Sequence, residues 1–178
     1  LFNPNNSKLN SPKIKHIVFA SGSVCTTINK YAFAYVDTLV NLNESAYTSF
    51  NPPASLVSIR EYAFAHCSAL PYINLVNTIT TVEQYAFTGC TSAIGLTIGT
   101  GIEVIEKGTF ESCTNLAYVR ISAEVNNIRE YAFGACGKID EILYMNNEVA
   151  WDALMDNTEA TGNDIIKNAY DCDDATTD

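Results

Sequence analysis

A chain of 178 residues, 47% hydrophobic and 17% charged, suits one ordinary domain or one array of small repeats and is too apolar to be a disordered tail. Its formal net charge of −10 lies wholly in residues 140–178, where eleven acidic side chains stand against Lys167 alone, while residues 1–139 carry nine basic and nine acidic residues and are neutral. With no basic stripe, nucleic acid and anionic membranes are poor partners, and no apolar run approaches the about 18 residues of a membrane helix.

Residues 1–13 read as a lead-in. The chain starts at Leu1 with neither Met nor a signal-like stretch, so it reads as a trimmed or processed piece whose lack of a leader says nothing about export. Ile14-x-x-Ile17-x-Phe19 then opens an array that runs over 14–144. Tyr-Ala-Phe recurs at 31–33, 62–64, 85–87 and 131–133, and Gly108-Thr109-Phe110 keeps only the Phe. The spacings between Phe33, Phe64, Phe87, Phe110 and Phe133 are 31, 23, 23 and 23 residues.

Other columns hold the same register. Three residues after each Phe stands Val36, Cys67, Cys90, Cys113 or Cys136. Five before it stands Ile28, Ile59, Val82, Ile105 or Ile128, and three before that Cys25, Leu56, Ile79, Ile102 or Val125. Between copies, Leu70-x-x-Ile73-x-Leu75 and its successors at 93–98, 116–121 and 139–144 alternate apolar and polar residues, the pattern of a strand with one buried face. A unit of this size cannot bury its apolar side alone. Stacked copies form a continuous core and align their strands in a parallel sheet.

The unit Leu-x-x-Ile-x-Leu…Ile-x-x-Ile-x-x-Tyr-Ala-Phe-x-x-Cys resembles the leucine-rich repeat of the BspA-like, or Treponema pallidum-type, surface proteins over about residues 14–144. The resemblance implies an α/β solenoid of the leucine-rich-repeat type: a parallel β-sheet on one face, irregular or short helical segments on the other, and a C-terminal capping helix. It also implies an extracellular or cell-surface binding module, adhesin-like, whose partner is a protein or glycan of host extracellular matrix or of another microbe. It implies no cofactor, no catalysis and no membrane-spanning segment, and we expect a monomer. A spacer that projects another domain is the alternative, and an enzyme the remote one.

The first full copy is irregular. Its strand starts at Leu39-x-x-Leu42, but Glu44 occupies an apolar slot, and eight extra residues fall near 44–54, where Pro52-Pro53 signals a turn. The insertion reads as a surface loop, either tolerated or part of a binding face. After Tyr144, Asn147 can cap a helix over about 148–156 with Trp151, Leu154 and Met155 on one side, so that 145–178 forms a terminal cap and an acidic tail.

Chemistry-bearing residues are few. The cysteines at 67, 90, 113 and 136 share an apolar column with Val36, which favours buried free thiols over disulfides or a metal, since stacked copies place them in a line and not a tetrahedron. Cys25 and Cys172 lie apart from that column. His66 adjoins Cys67 but points the other way in the column scheme, which disfavours a nucleophile pair, and His16 stands alone. Asp171, Asp173 and Asp174 lack the glycine and distal Glu of a calcium loop. The strand face is the place to seek a ligand. One outward column reads His16, Asn41, Tyr72, Gly95, Tyr118, Glu141, and the other Val18, Asn43, Asn74, Thr97, Arg120, Leu143. Tyr72, Gly95, Tyr118 and Arg120 form the candidate site: Gly95 leaves a gap between two aromatic side chains, and Arg120 shares their face. The competing reading is that these residues were chosen for strand propensity alone.

Overall fold

The computed structural model describes residues 13–17, 19, 22–40, 52–156 and 161–167. Alternating apolar residues become the long strands β3 (Tyr72–Leu75), β5 (Gly95–Ile98), β7 (Tyr118–Ile121) and β9 (Glu141–Tyr144). They pair in parallel, in the order β3-β5-β7-β9, each step joining residues 23 apart: Ile73 faces Leu96, Leu96 faces Val119, and Val119 faces Ile142. The inward residues of each strand are buried. Of the two strands expected upstream, His16 forms a single bridge, Val18 lies outside the described residues, and so do Asn41, Asn43 and the rest of 41–51. Pro52 is buried, and the Pro53 carbonyl accepts the Leu56 N–H at 2.9 Å.

On the other side of the coil the segments take the irregular form of the two expected. Two-residue strands β1 (Thr27–Ile28), β2 (Ser58–Ile59) and β4 (Thr81–Val82) form one parallel sheet, and β6 (Val104–Ile105) pairs with β8 (Asn127–Ile128) in another. The Tyr-Ala-Phe segments are hydrogen-bonded turns. Tyr31, Tyr62, Tyr85, Gly108 and Tyr131 all have φ between +55° and +61°, and Tyr35, His66, Gly89, Ser112 and Ala135, four residues on, repeat the left-handed value. Non-glycine residues seldom adopt it. Here it turns alternate N–H groups toward the following coil. Tyr62, Phe64 and His66 donate to the carbonyls of Gln84, Ala86 and Thr88 at 2.7–3.3 Å, and Tyr85, Phe87 and Gly89 donate to Lys107, Thr109 and Glu111 at 2.8–3.1 Å. Ala63, Ala65 and Cys67, between them, bond within their own turn.

This ladder stacks identical side chains. The rings of Phe33, Phe64, Phe87, Phe110 and Phe133 follow one another with centroids 5.2–5.9 Å apart. Tyr31, Tyr62 and Tyr85 stack outside them at 5.1 Å, and the run stops at Gly108, where an added Cβ would lie 2.2 Å from the Tyr85 ring. The cysteine column does more than fill space. Each thiol donates to the carbonyl of the Phe in the preceding coil: Cys67 to Phe33, Cys90 to Phe64, Cys113 to Phe87 and Cys136 to Phe110, at 3.1–3.4 Å. Those carbonyls already accept one backbone N–H, so sulfur satisfies the second lone pair. Val36 fills the same slot in the first described coil, with no thiol to donate.

The core ends at helix α1 (Glu148–Met155), started by Asn147, whose side chain accepts the Ala150 N–H at 2.9 Å. Trp151, Leu154 and Met155 are buried, and Trp151 packs against Tyr144 at 5.5 Å. The acidic tail holds a feature of its own. Thr161, Gly162 and Asn163 imitate one further turn just before the short helix α2 (Asp164–Lys167). The Thr161 carbonyl accepts the Tyr131 N–H at 2.8 Å, the Tyr131 ring lies over Gly162, and Asn163 Oδ1 accepts the Phe133 N–H at 2.8 Å. Asn163 Nδ2 donates to the Arg129 carbonyl at 2.8 Å.

Candidate functional site

The long-strand sheet presents its unburied side as a shallow groove of about 480 Å³. Register places Tyr72, Gly95, Tyr118 and Glu141 in one row across β3, β5, β7 and β9, and Asn74, Thr97, Arg120 and Leu143 in the next. All eight line the groove. Tyr72 is 43% and Tyr118 56% exposed, high for rings this large, so both are available for contact. The four residues singled out from sequence are thus brought together, and Asn74, Thr97, Glu141 and Leu143 join them. The same strand alternation marks all eight. Only the aromatic and Arg side chains announce themselves by type.

One detail differs from expectation. Gly95 does not leave an open gap between two walls, because the Tyr72 ring leans over it: a Cβ there would stand 3.0 Å from Cδ1 and 3.2 Å from Cε1. Missing a side chain, Gly95 lets Tyr72 lie down toward Tyr118. Arg120 Nη2 approaches Met145 Sδ at 3.5 Å and has no ion-pair partner among the described residues. In the row beside the tyrosine turns, by contrast, cations pair across coils: Lys30 with Glu61, Arg60 with Glu83, Lys107 with Glu130.

The family described as BspA type leucine rich repeat region, in six copies, matches residues 41–155. The chain belongs to this family. Solved structures agree on the fold. This BspA-type array aligns with a leucine-rich repeat protein from Eubacterium ventriosum at 16% identity and a TM-score of 0.61, over 72% of this chain and 32% of that one. A leucine rich repeat protein from T. pallidum aligns at 23% identity and 0.57, over 77% and 72%. A leucine rich cell surface protein from Faecalibacterium prausnitzii aligns at 19% and 0.50, over 78% and 49%. The chain therefore spans about a third of the first protein and about half of the last. No curated protein matches the sequence significantly.

The other candidate groups of the BspA-type array are built into its frame. Cys67, Cys90, Cys113 and Cys136 are free thiols with no exposed surface. Burial pushes the Cys67 thiol up to about 12. Its hydrogen bond with the Cys113 thiol, together with burial, pushes Cys136 upward as well. A thiol held protonated is a poor nucleophile. Cys25 is half-buried and donates weakly to the Thr27 carbonyl at 3.6 Å, and Cys172 lies outside the described residues. His66 stacks on Tyr35 with centroids 4.6 Å apart while Cys67 faces the Phe33 carbonyl, so the two neighbours are not a catalytic pair. Burial lowers the His66 pKa, which keeps the stacked imidazole neutral. Among the described residues no group of three or more His, Cys, Asp or Glu is placed to hold a metal, and no helix is long and apolar enough to cross a membrane. Asp171, Asp173 and Asp174 fall outside them.

Proposed function

We propose that this domain is a non-enzymatic recognition module displayed at a cell surface, and that it holds a protein or glycan ligand on its long-strand face. The observation that carries the reading is the groove across four hydrogen-bonded strands, with two exposed tyrosines and an arginine outside any described ion pair. Side chains fixed on strands lose little freedom on binding, which favours a rigid recognition surface. Family membership supports surface display, as does the name of the F. prausnitzii relative. The chemistry-bearing groups away from the groove serve the frame: thiols bond to carbonyls, and the imidazole stacks on a ring.

The test compares the parent with a Tyr72→Ala, Tyr118→Ala double variant of equal melting temperature. Both are immobilised and challenged with extracellular-matrix and bacterial-surface preparations. A ligand captured by the parent and lost from the double variant supports the strand face. Equal capture by both overturns it and moves the search to the 44–54 insertion. Because residues 1–139 are neutral, binding is expected to be only modestly sensitive to salt.

A further inference from the structure

We propose that the groove on the long-strand face takes a neutral sugar ring, a pyranose unit of a glycan; this rests on the strand-face reading above and narrows it to one ligand class. Size is the first argument. A groove of about 480 Å³ sits within the about 300–1,000 Å³ typical of small-ligand sites. The eight outward positions of the four strands are far fewer than the about 20–30 residues per side of a standard protein interface.

Charge is the second. Arg120 and Glu141 both line the groove, and neither is in an ion pair among the described residues. The face holds one charge of each sign. An ionic ligand would therefore gain at one strand what it loses at the next, and a neutral ligand is not penalised. What the two groups do supply is opposite hydrogen-bonding capacity: a guanidinium only donates and a carboxylate only accepts. Asn74 and Thr97, in the row of Arg120, can do both. Adjacent hydroxyls, each donor and acceptor at once, meet such a set better than a carboxylate or an ammonium does.

The third argument is the pairing of this polar set with Tyr72 and Tyr118. A pyranose has hydroxyls at its rim and C–H bonds across its faces. An exposed tyrosine ring offers a large apolar body for those faces and a hydroxyl for the rim. An extended peptide, by comparison, recruits the open edge of a sheet, where main-chain groups are unpaired, and not the side-chain face.

The experiment applies the full chain, the Tyr72→Ala, Tyr118→Ala variant and Arg120→Gln to a printed array of neutral and acidic glycans. Saturation-transfer NMR with lactose, maltose and cellobiose follows. Neutral glycans should bind the parent, about tenfold or more weaker in the double variant, with little change as salt is raised. Arg120→Gln, a change on an exposed side chain, should weaken binding too, and it decides alone if the double variant melts lower. Retention of acidic glycans only, or of none, overturns the neutral-sugar assignment. If a captured protein ligand still depends on the two tyrosines, that result leaves the strand face standing. Neutral glycan binding that is unchanged in both variants puts the sugar elsewhere and overturns the assignment to this groove.

Discussion

Asn163 offers the sharpest single test of how the array ends. It is 2% exposed, and its Oδ1 accepts the Phe133 N–H in place of the carbonyl that a further coil would supply, while Nδ2 donates to the Arg129 carbonyl. Leucine has nearly the shape of asparagine and can do neither. Asn163→Leu leaves the Phe133 N–H without a partner and the Arg129 carbonyl with the Ala132 N–H alone, in a space too full for water. A buried orphan of this kind costs about 1–3 kcal/mol, and a carbonyl with a second lone pair costs less than an N–H, so the expected loss is about 2–4 kcal/mol. Asn163→Ala opens room for a water to re-bond both groups and should cost less, about 1–2 kcal/mol. Asn147→Ala removes an exposed helix cap and should cost about 1 kcal/mol. Trp151 is the only tryptophan and sits in the cap, so its fluorescence reports the terminus while far-ultraviolet circular dichroism reports the whole array. Repeats couple only to their neighbours, so in urea the leucine variant should lower the fluorescence midpoint before the dichroism midpoint. Amide exchange should lose protection first at Phe133. If Asn163→Leu unfolds at the parental urea concentration by both probes, the imitation of a further coil contributes nothing.

Phe87 stacks between Phe64 and Phe110, whereas Phe33 is half-buried and, among the described residues, stacks on Phe64 alone, so Phe87→Ala should cost about 4–5 kcal/mol and Phe33→Ala about 2–3 in urea titrations. A larger loss at Phe33 would contradict this. Trp151→Ala should uncover the end of the core and promote association, read by light scattering; a monomer with parental melting would show that α1 closes nothing. The thiols tie stability to alkaline pH. Cys67 titrates near 12 when folded and near about 8.5 when unfolded, so its contribution is complete below about 8.5 and is lost as pH rises toward 12. Cys67→Val, the residue at the equivalent position 36, should flatten that decline, and labelling of the four column thiols should be slow until denaturant is added.

The frame was legible because a solenoid writes its core at a fixed period. Ile59, Phe64 and Cys67 find their counterparts 23 residues on at Val82, Phe87 and Cys90, and the structure buries all six. Asn147 and Trp151 were legible as a helix start and its buried anchor. The left-handed tyrosines were not, because a bulky residue at positive φ goes against local preference and is held only by bonds to the neighbouring coil. The second role of the cysteines stayed hidden for a similar reason, since Val36 made the column look purely apolar. Thr161, Gly162 and Asn163 carry no triplet and no register, so nothing in an acidic tail distinguishes a stretch that copies a turn. In the groove, Tyr72 and Tyr118 stand out by type, whereas the tilt of Tyr72 over Gly95 depends on side-chain packing across strands.

In the tyrosine turns every cross-coil bond between backbone groups runs the same way, from an N–H to the carbonyl one coil further along. The row therefore has two unlike ends, as a polar filament does. The downstream end exposes hydrogens and can be closed only by oxygen, which Thr161 and Asn163 provide. The upstream end exposes oxygen, which solvent or any N–H satisfies readily. A terminator that works at one end cannot be moved to the other, whereas a 23-residue unit spliced into the interior meets its proper partner on both sides. Arrays of this kind can change length freely from within while their endings stay chemically fixed.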